Sequence, residues 1–244
     1  MLKNNCHRMA VLANTAYMSK KEGTEKYKSL GYGSVKFISI DGAQCYIIVN
    51  KEEMVICFRG TEPSEVSDIK ADLNALPKKS KVSGYVHKGF YDEIEKVWES
   101  VMAIVKTNQK NKNLFITGHS LGAAMATIAA SRLGVKVSAL YTYGSPRAGT
   151  KHFINTIQCS HFRHVNNNDI VTKVPPAFMG YRHHGTLVYI NYHGEIRKMT
   201  TWQRIKDTWR GRWRAFEKGH PFDGAYDHSM ENYVECTEKN HGVD

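Results

Sequence analysis

The sequence predicts an α/β domain, and three observations carry that prediction. Short apolar runs of strand length alternate along the chain with longer runs of helical periodicity. One Gly-x-Ser-x-Gly segment, Gly118-His119-Ser120-Leu121-Gly122, stands between such a strand and such a helix. Finally, no repeat, low-complexity tract or Pro/Gly-rich linker divides the chain, so residues 1–244 read as one domain.

Taken in order, Met1 to Tyr17 carries charge among short apolar pieces such as Met9-Ala10-Val11-Leu12-Ala13 and reads as an amphipathic first helix. Residues 34–40 and 43–49 alternate around Asp41-Gly42, a hairpin signal. Residues 53–58 form a continuous apolar run, as in a buried strand. Over 90–107, Phe90, Ile94, Val97, Val101 and Ile104 recur on one helical face. Leu114 to Thr117 reads as a short strand, Ala123 to Leu133 as a helix of small residues able to approach a sheet closely, and Val137 to Tyr143 and His161 to Val165 as further strands. Residues 186–191 and 195–199 flank Tyr192-His193-Gly194 as a second hairpin, and helices near 201–217 and 227–238 close the chain.

Composition narrows the classes. Of 244 residues, 41% are hydrophobic and 23% charged, enough to fill a core and far from the disordered class. No stretch approaches the run of about 20 apolar residues that spans a bilayer. The N-terminus lacks the apolar core of a secretory signal. Five scattered cysteines, an odd number without metal-ligand spacing, read as free thiols. Together these features lead one to expect a reducing, cytoplasmic setting, with peripheral membrane contact at most. The net charge of +11 calls for an acidic partner, either an anionic membrane, an acidic substrate or nucleic acid. Nucleic acid is the weakest of these, because no binding motif accompanies the charge and the basic residues are spread widely.

The Gly-x-Ser-x-Gly pattern is weak alone, but a strand leading in and a helix leading out give it the setting of a nucleophile elbow. Such a turn is sharp, and side chains at 118 or 122 would collide with backbone. It holds the Ser120 hydroxyl clear of the sheet, at the amide-rich start of the next helix. A serine hydroxyl needs a base, and a base needs an orienting acid. Asp169, just after a strand in Asn166-Asn167-Asn168-Asp169, is the candidate acid; the plain alternative is a carboxylate that caps the following segment. Calcium binding by this cluster lacks the ligand spacing of a loop site. Of the six histidines after Asp169, His228 in Asp227-His228-Ser229-Met230 is the candidate base, and His184 is the alternative. The side chain of His119 is not expected to reach Ser120. An oxyanion intermediate needs N–H donors, each worth roughly 2.7–4 kcal/mol. Leu121, after the nucleophile, offers one, and Thr61, in the loop Phe58-Arg59-Gly60-Thr61 that ends strand 53–58, offers the other.

Six segments in fixed order resemble the class 3 lipases, the fungal-lipase-like branch of the α/β hydrolases. They are Phe58-Arg59-Gly60-Thr61, Val86-His87-Lys88-Gly89-Phe90, the elbow, Thr142-Tyr143-Gly144-Ser145-Pro146-Arg147, Asn168-Asp169-Ile170-Val171 with Val174-Pro175, and Asp227-His228-Ser229-Met230 with Tyr233. The resemblance implies the α/β-hydrolase fold with a central, mostly parallel sheet flanked by helices. It also implies a Ser120–His228–Asp169 triad with Thr61 and Leu121 as oxyanion donors, and hydrolysis of lipid esters without a metal or organic cofactor. The sequence departs from the family at Asp68-Ile69, where Asp-Trp is common. Glu62 to Asp68 is short and acidic, unlike a long amphipathic lid. The same triad would serve a small-ester esterase or an acyltransferase, and an idle membrane-binding protein would need none of it.

Near the end, Trp202, Ile205, Trp209, Trp213 and Phe216 share one helical face, with Arg204, Lys206, Arg210, Arg212 and Arg214 in the other positions. Packing of this apolar stripe onto the domain is the first expectation. The other is a cap or membrane-surface helix over 200–218, with aromatic anchors for an anionic lipid surface.

Overall fold

In a computed structural model, residues 5–61, 76–217 and 223–240 are described. Seven strands form the central sheet: β1 (Ser34–Ile40), β2 (Ala43–Val49), β3 (Glu53–Phe58), β6 (Asn113–His119), β7 (Ala139–Tyr143), β9 (Ser160–Asn166) and β11 (Thr186–Ile190), in that spatial order. The first two pairings are antiparallel and the remaining four parallel, so the sheet is mostly parallel, as expected. The Asp41-Gly42 turn sets the first hairpin, pairing Ile40 with Ala43, and both turn residues have positive φ.

Helices cover both faces. On one side α3 (Lys88–Asn108) and α4 (Leu121–Leu133) pack on Ile47, Ile56 and Ile116; Phe90, Ile94, Val97 and Val101 of α3 are buried there at the predicted spacing. On the other, α1 (Cys6–Thr15) and α8 (Met230–Lys239) cover Ile48, Val55 and Tyr141. Alternate strand residues thus feed opposite cores, which is why β2 and β3 are apolar nearly throughout. The alanines of α4 are all buried and let it lie close to β3, β6 and β7.

Several elements were not legible in advance. Helix α2 (Lys20–Ser29) is mostly polar and is set by a Ser19–Glu22 capping box. Four short strands, β4 (Pro77–Lys79), β5 (Tyr85–His87), β8 (Gly149–Thr150) and β10 (Tyr181–Arg182), form a second small sheet. Among the described residues the remaining α-helices are α5 (Lys151–Ile154), α6 (Thr201–Glu217) and α7 (Asp223–Tyr226). The second hairpin is not formed: 195–199 meets β11 only at the Ile190–Ile196 bridge. The last helix starts at Met230, so His228 lies in the turn before it. Glu62 to Asp68 and Ile69 lie outside the described residues. All five cysteines are free thiols. Among the described residues no helix is long and apolar enough to cross a membrane.

Several buried or half-buried histidines are held neutral. Burial pushes His87 and His164 down to about 4. Burial, followed by the charges of Arg163 and Arg147, pushes His183 down to about 3. Above pH ~6.5 these rings are neutral whether the chain is folded or not. As pH falls from there towards 4, the unfolded chain takes up protons that the folded chain refuses, so stability is lost across that window, by up to roughly 3 kcal/mol for fully buried His164. The urea midpoint is therefore expected to drop steeply between pH 6.5 and 4. A midpoint that stays level across that range would contradict the neutral buried state.

Candidate active site

The site is built at the carboxyl ends of the parallel strands. Ser120 joins β6 to α4 with φ 55° and ψ −127°, a conformation that costs a non-glycine residue roughly 1–3 kcal/mol. The flanking glycines explain how the turn fits. A Cβ on Gly118 would lie 2.5 Å from the carbonyl oxygen of Gly122, and one on Gly122 would run into the backbone of Phe58 and Arg59. The elbow is thus locked both on itself and against the end of β3.

His228 Nε2 lies 2.8 Å from Ser120 Oγ, and His228 Nδ1 lies 2.9 Å from Asp169 Oδ2. All three residues are buried. Asp169 is placed by a tight turn after β9, in which Asn167 has φ 25° and the Asp169 N–H donates to the Asn166 carbonyl at 2.8 Å. Its Oδ1 accepts from the Val171 N–H at 2.9 Å. The carboxylate therefore does both things the sequence allowed: one oxygen caps the next segment and the other faces the histidine. His184 stands elsewhere, stacked on His161 with ring centroids 5.4 Å apart.

Leu121 follows Ser120 in the chain, and Thr61 follows Gly60 in the loop that approaches it. A Cβ on Gly60 would fall 2.6 Å from the His119 carbonyl oxygen and 3.2 Å from Ser120 Cβ, so only glycine lets this loop lie this close. Thr61 Oγ1 is buried without a hydrogen-bond partner among the described residues. Thr61 and Leu121 also line one cavity of about 360 Å³ with Gln44, Arg59 and Met125.

Three supporting residues have roles that were not identified from the sequence. Tyr233 donates its hydroxyl to Asp169 Oδ2 at 2.6 Å and accepts from the Asn166 N–H at 2.9 Å. Gly144, at φ 57°, leaves room for the acid–base pair: a Cβ there would lie 2.8 Å from both Asp169 Oδ2 and His228 Nδ1. His119 indeed turns away from Ser120. Its Nε2 lies 2.7 Å from the His228 carbonyl and its Nδ1 lies 2.7 Å from the Tyr17 hydroxyl, so it ties the histidine turn to the end of α1. Burial, then His228, holds the His119 ring far below the usual histidine range and so neutral. Tyr233 and Gly144 do fall in the quoted motifs, but their roles arise only where distant segments meet. Tyr233→Phe should lower kcat about tenfold and stability by roughly 1–2 kcal/mol, because it strips Asp169 of a donor and leaves the Asn166 N–H buried and unpaired. Activity and a urea midpoint equal to wild type would remove Tyr233 from the positioning network.

The tryptophans of the α6 stripe do not pack inward; the side chains of Arg214 and Phe216 lie outside the described residues. Among the described side chains of α6, Asp207 and Gly211 are the buried positions, whereas Trp202, Trp209 and Trp213 are 64%, 66% and 68% exposed. Asp207 anchors the helix, its Oδ2 accepting from Asn167 Nδ2 at 3.0 Å, the Tyr189 hydroxyl at 2.9 Å and the Tyr192 N–H at 3.2 Å. Gly211 lets α6 approach the acid turn, since a Cβ there would lie 2.9 Å from Asn167 Oδ1. The expectation of plain packing is thus corrected: a buried polar anchor, which periodicity cannot weigh against three tryptophans, decides which face docks.

Comparison with known proteins places these features in context. The model of the family described as Lipase (class 3) matches residues 55–179, just over half of the chain. The Rhizomucor miehei lipase is 36% identical over 156 residues, covering 58% of this chain and 42% of that protein. The toxin TseL of Vibrio cholerae is 31% identical over 189 residues, 57% of this chain and 28% of that protein. A secreted mono- and diacylglycerol lipase of Fusarium solani is 40% identical over 107 residues, 40% of this chain and 32% of that protein. The chain therefore spans less than half the length of these relatives. Among solved structures, the Rhizomucor miehei triacylglyceride lipase superposes with a TM-score of 0.64 at 27% identity, over 78% of this chain and 80% of that one. A triacylglycerol lipase whose catalytic centre is described as a serine protease triad superposes with a TM-score of 0.63 at 26% identity, over 77% and 79% of the two chains. The fold is that of the α/β hydrolases. The cytoplasmic setting expected from the sequence finds no support in these relatives, of which the Fusarium solani lipase is named as secreted.

Proposed function

Starting from the chain's membership of the class 3 lipase family, we propose that it is a serine hydrolase of lipid carboxylic esters, acting through an acyl-serine formed on Ser120. The observation that carries this reading is the unbroken line of hydrogen bonds from Ser120 Oγ through His228 to Asp169. His228 takes the serine proton as Ser120 Oγ attacks the ester carbonyl, and returns it to the departing alcohol. Asp169 holds the ring in the tautomer that leaves Nε2 free to accept, and stabilises the imidazolium once it forms. The N–H groups of Thr61 and Leu121 receive the negative charge on the former carbonyl oxygen, joined by the orphaned Thr61 hydroxyl. Water then replaces the alcohol, and the same proton transfers release the acid. Acylglycerols and phospholipids are both substrates of the proposed class.

The test is hydrolysis of p-nitrophenyl esters from acetyl to palmitoyl, alongside a triacylglycerol emulsion and phospholipid vesicles. Longer acyl chains and the two lipid substrates are expected to be turned over. Activity confined to acetyl and butyryl esters would replace the lipase with a small-ester esterase. No turnover of any of them by folded protein would leave the idle membrane binder.

The second part of the reading is peripheral contact with an anionic membrane. It is favoured by the three exposed tryptophans of α6, which stand beside exposed Lys206, Arg210 and Arg212.

A further inference from the structure

A second cavity, of about 510 Å³, lies under α6 against β9 and β11 and has no part in the chemistry above. Its walls carry Arg147, Arg163, Lys173, His183 and Arg204, and among the described residues no Asp or Glu lines it. His183 is neutral, and none of the four cations Arg147, Arg163, Lys173 and Arg204 forms an ion pair among the described residues. Arg147 donates to the carbonyls of Lys173 and Pro175, and Lys173 donates to Asn168 Oδ1 at 2.7 Å. Arg204 donates to Thr201 Oγ1 at 3.1 Å. The Nε atoms of both Arg163 and Arg204 are buried without partners. Asp207 of the same helix is committed to Asn167, Tyr189 and the Tyr192 N–H.

Like charges gathered this closely repel one another. Burial, then Arg147 and Arg204, brings Arg163 down to about 10, far below an ordinary guanidinium. Cations drawn partly out of water are ordinarily paired, and this cavity gathers half-buried Arg147, Arg163 and Arg204 with no carboxylate among its described lining residues. Guanidinium forks match the oxygens of phosphate, and three arginines offer more donors than one carboxylate can accept. The rim indicates where such a phosphate would come from. Trp209 and Ile205 line the cavity, and both lie on the exposed aromatic, basic face of α6.

We infer that this cavity binds the phosphate of an anionic phospholipid headgroup, with Arg163 and Arg204 as its main ligands and the α6 tryptophans as membrane anchors around its mouth. The inference rests on the membrane-contact part of the reading above and is independent of hydrolysis.

The experiment uses the full chain carrying Ser120→Ala, so that lipid stays intact, with wild type in parallel. Thermal unfolding is followed with inorganic phosphate, and with acetate at matched ionic strength. Co-sedimentation is measured on phosphatidylcholine vesicles with and without phosphatidylglycerol. Phosphate is expected to raise Tm saturably, and acetate is not. Arg163→Gln and Arg204→Gln should each abolish that shift and weaken binding to the anionic vesicles at least ~10-fold. Arg204 is only half buried on α6, so its variant carries the test should Arg163→Gln not fold. Arg210→Gln removes one exposed charge and should leave the phosphate shift intact, separating the pocket from net charge. The Trp202→Ala, Trp213→Ala pair, outside the cavity lining, should weaken vesicle binding and also keep the phosphate shift. Vesicle binding that survives the tryptophan pair overturns the membrane contact. No phosphate shift, or one that survives both arginine substitutions, overturns the pocket. A shift lost in the arginine variants while their vesicle binding stays at wild-type strength would make a soluble phosphate compound the occupant and overturn the headgroup.

Discussion

Ser120→Ala is expected to lower kcat for ester hydrolysis by roughly 10⁶-fold, because the nucleophile and its partners act as one unit. The residual rate should come from the oxyanion donors and substrate binding alone. The variant should fold, since Ser120 Oγ is hydrogen-bonded only to His228 among the described residues. Backbone strain adds a second readout. At φ 55° the position suits glycine better than any residue with a Cβ. Ser120→Gly should therefore be as inactive as Ser120→Ala yet more stable, by roughly 1–3 kcal/mol in urea unfolding. Full activity in folded Ser120→Ala would remove Ser120 as nucleophile. An alanine variant as stable as the glycine one would remove the strain argument while leaving the chemistry untouched.

Asp169→Asn should cost about 10⁴-fold in kcat, with little change in KM, by analogy with the known effect of the wrong histidine tautomer. The local hydrogen bonding makes the reason specific. Asp169 Oδ2 faces two donors, His228 Nδ1 and the Tyr233 hydroxyl, and Oδ1 faces the Val171 N–H. Asparagine brings one oxygen and one NH₂ to this acceptor-only place. With its NH₂ towards His228, the ring is driven to accept at Nδ1 and to carry its proton on Nε2, where it cannot serve as base. With its NH₂ towards Val171, two donors collide and the turn that holds residue 169 is disturbed. The first arrangement predicts an inactive, folded protein, and the second a loss of urea stability as well. Wild-type activity in Asp169→Asn would assign the residue to capping alone.

How much of this was legible in the chain depends on the distance over which each feature is decided. The hairpin over 34–49, the buried strand 53–58, helix 90–107 and the elbow follow from local patterns, because turn chemistry, periodicity and steric exclusion around Gly118 and Gly122 act within a few residues. The order of segments along the chain was enough to nominate Ser120, Asp169 and His228. Their assembly is a tertiary event: His228 reaches across 108 residues to Ser120 and 59 to Asp169. Only there does His228 part from His184, which meets His161 instead, and only there do Tyr233, Gly144 and His119 acquire roles. The small second sheet escaped detection because strands of two or three residues leave no period to read.

The sharpest division falls on α6. Its sequence determined an amphipathic helix with aromatic residues on one side and cations on the others. Which side docks was decided by the fold, through the Asp207 carboxylate held by Asn167, Tyr189 and the Tyr192 amide, and through Gly211 making room for the acid turn. A buried, fully bonded polar anchor decides the docked side over a stripe whose tryptophans stay exposed, and no local pattern records the donors that three distant segments bring to one side chain.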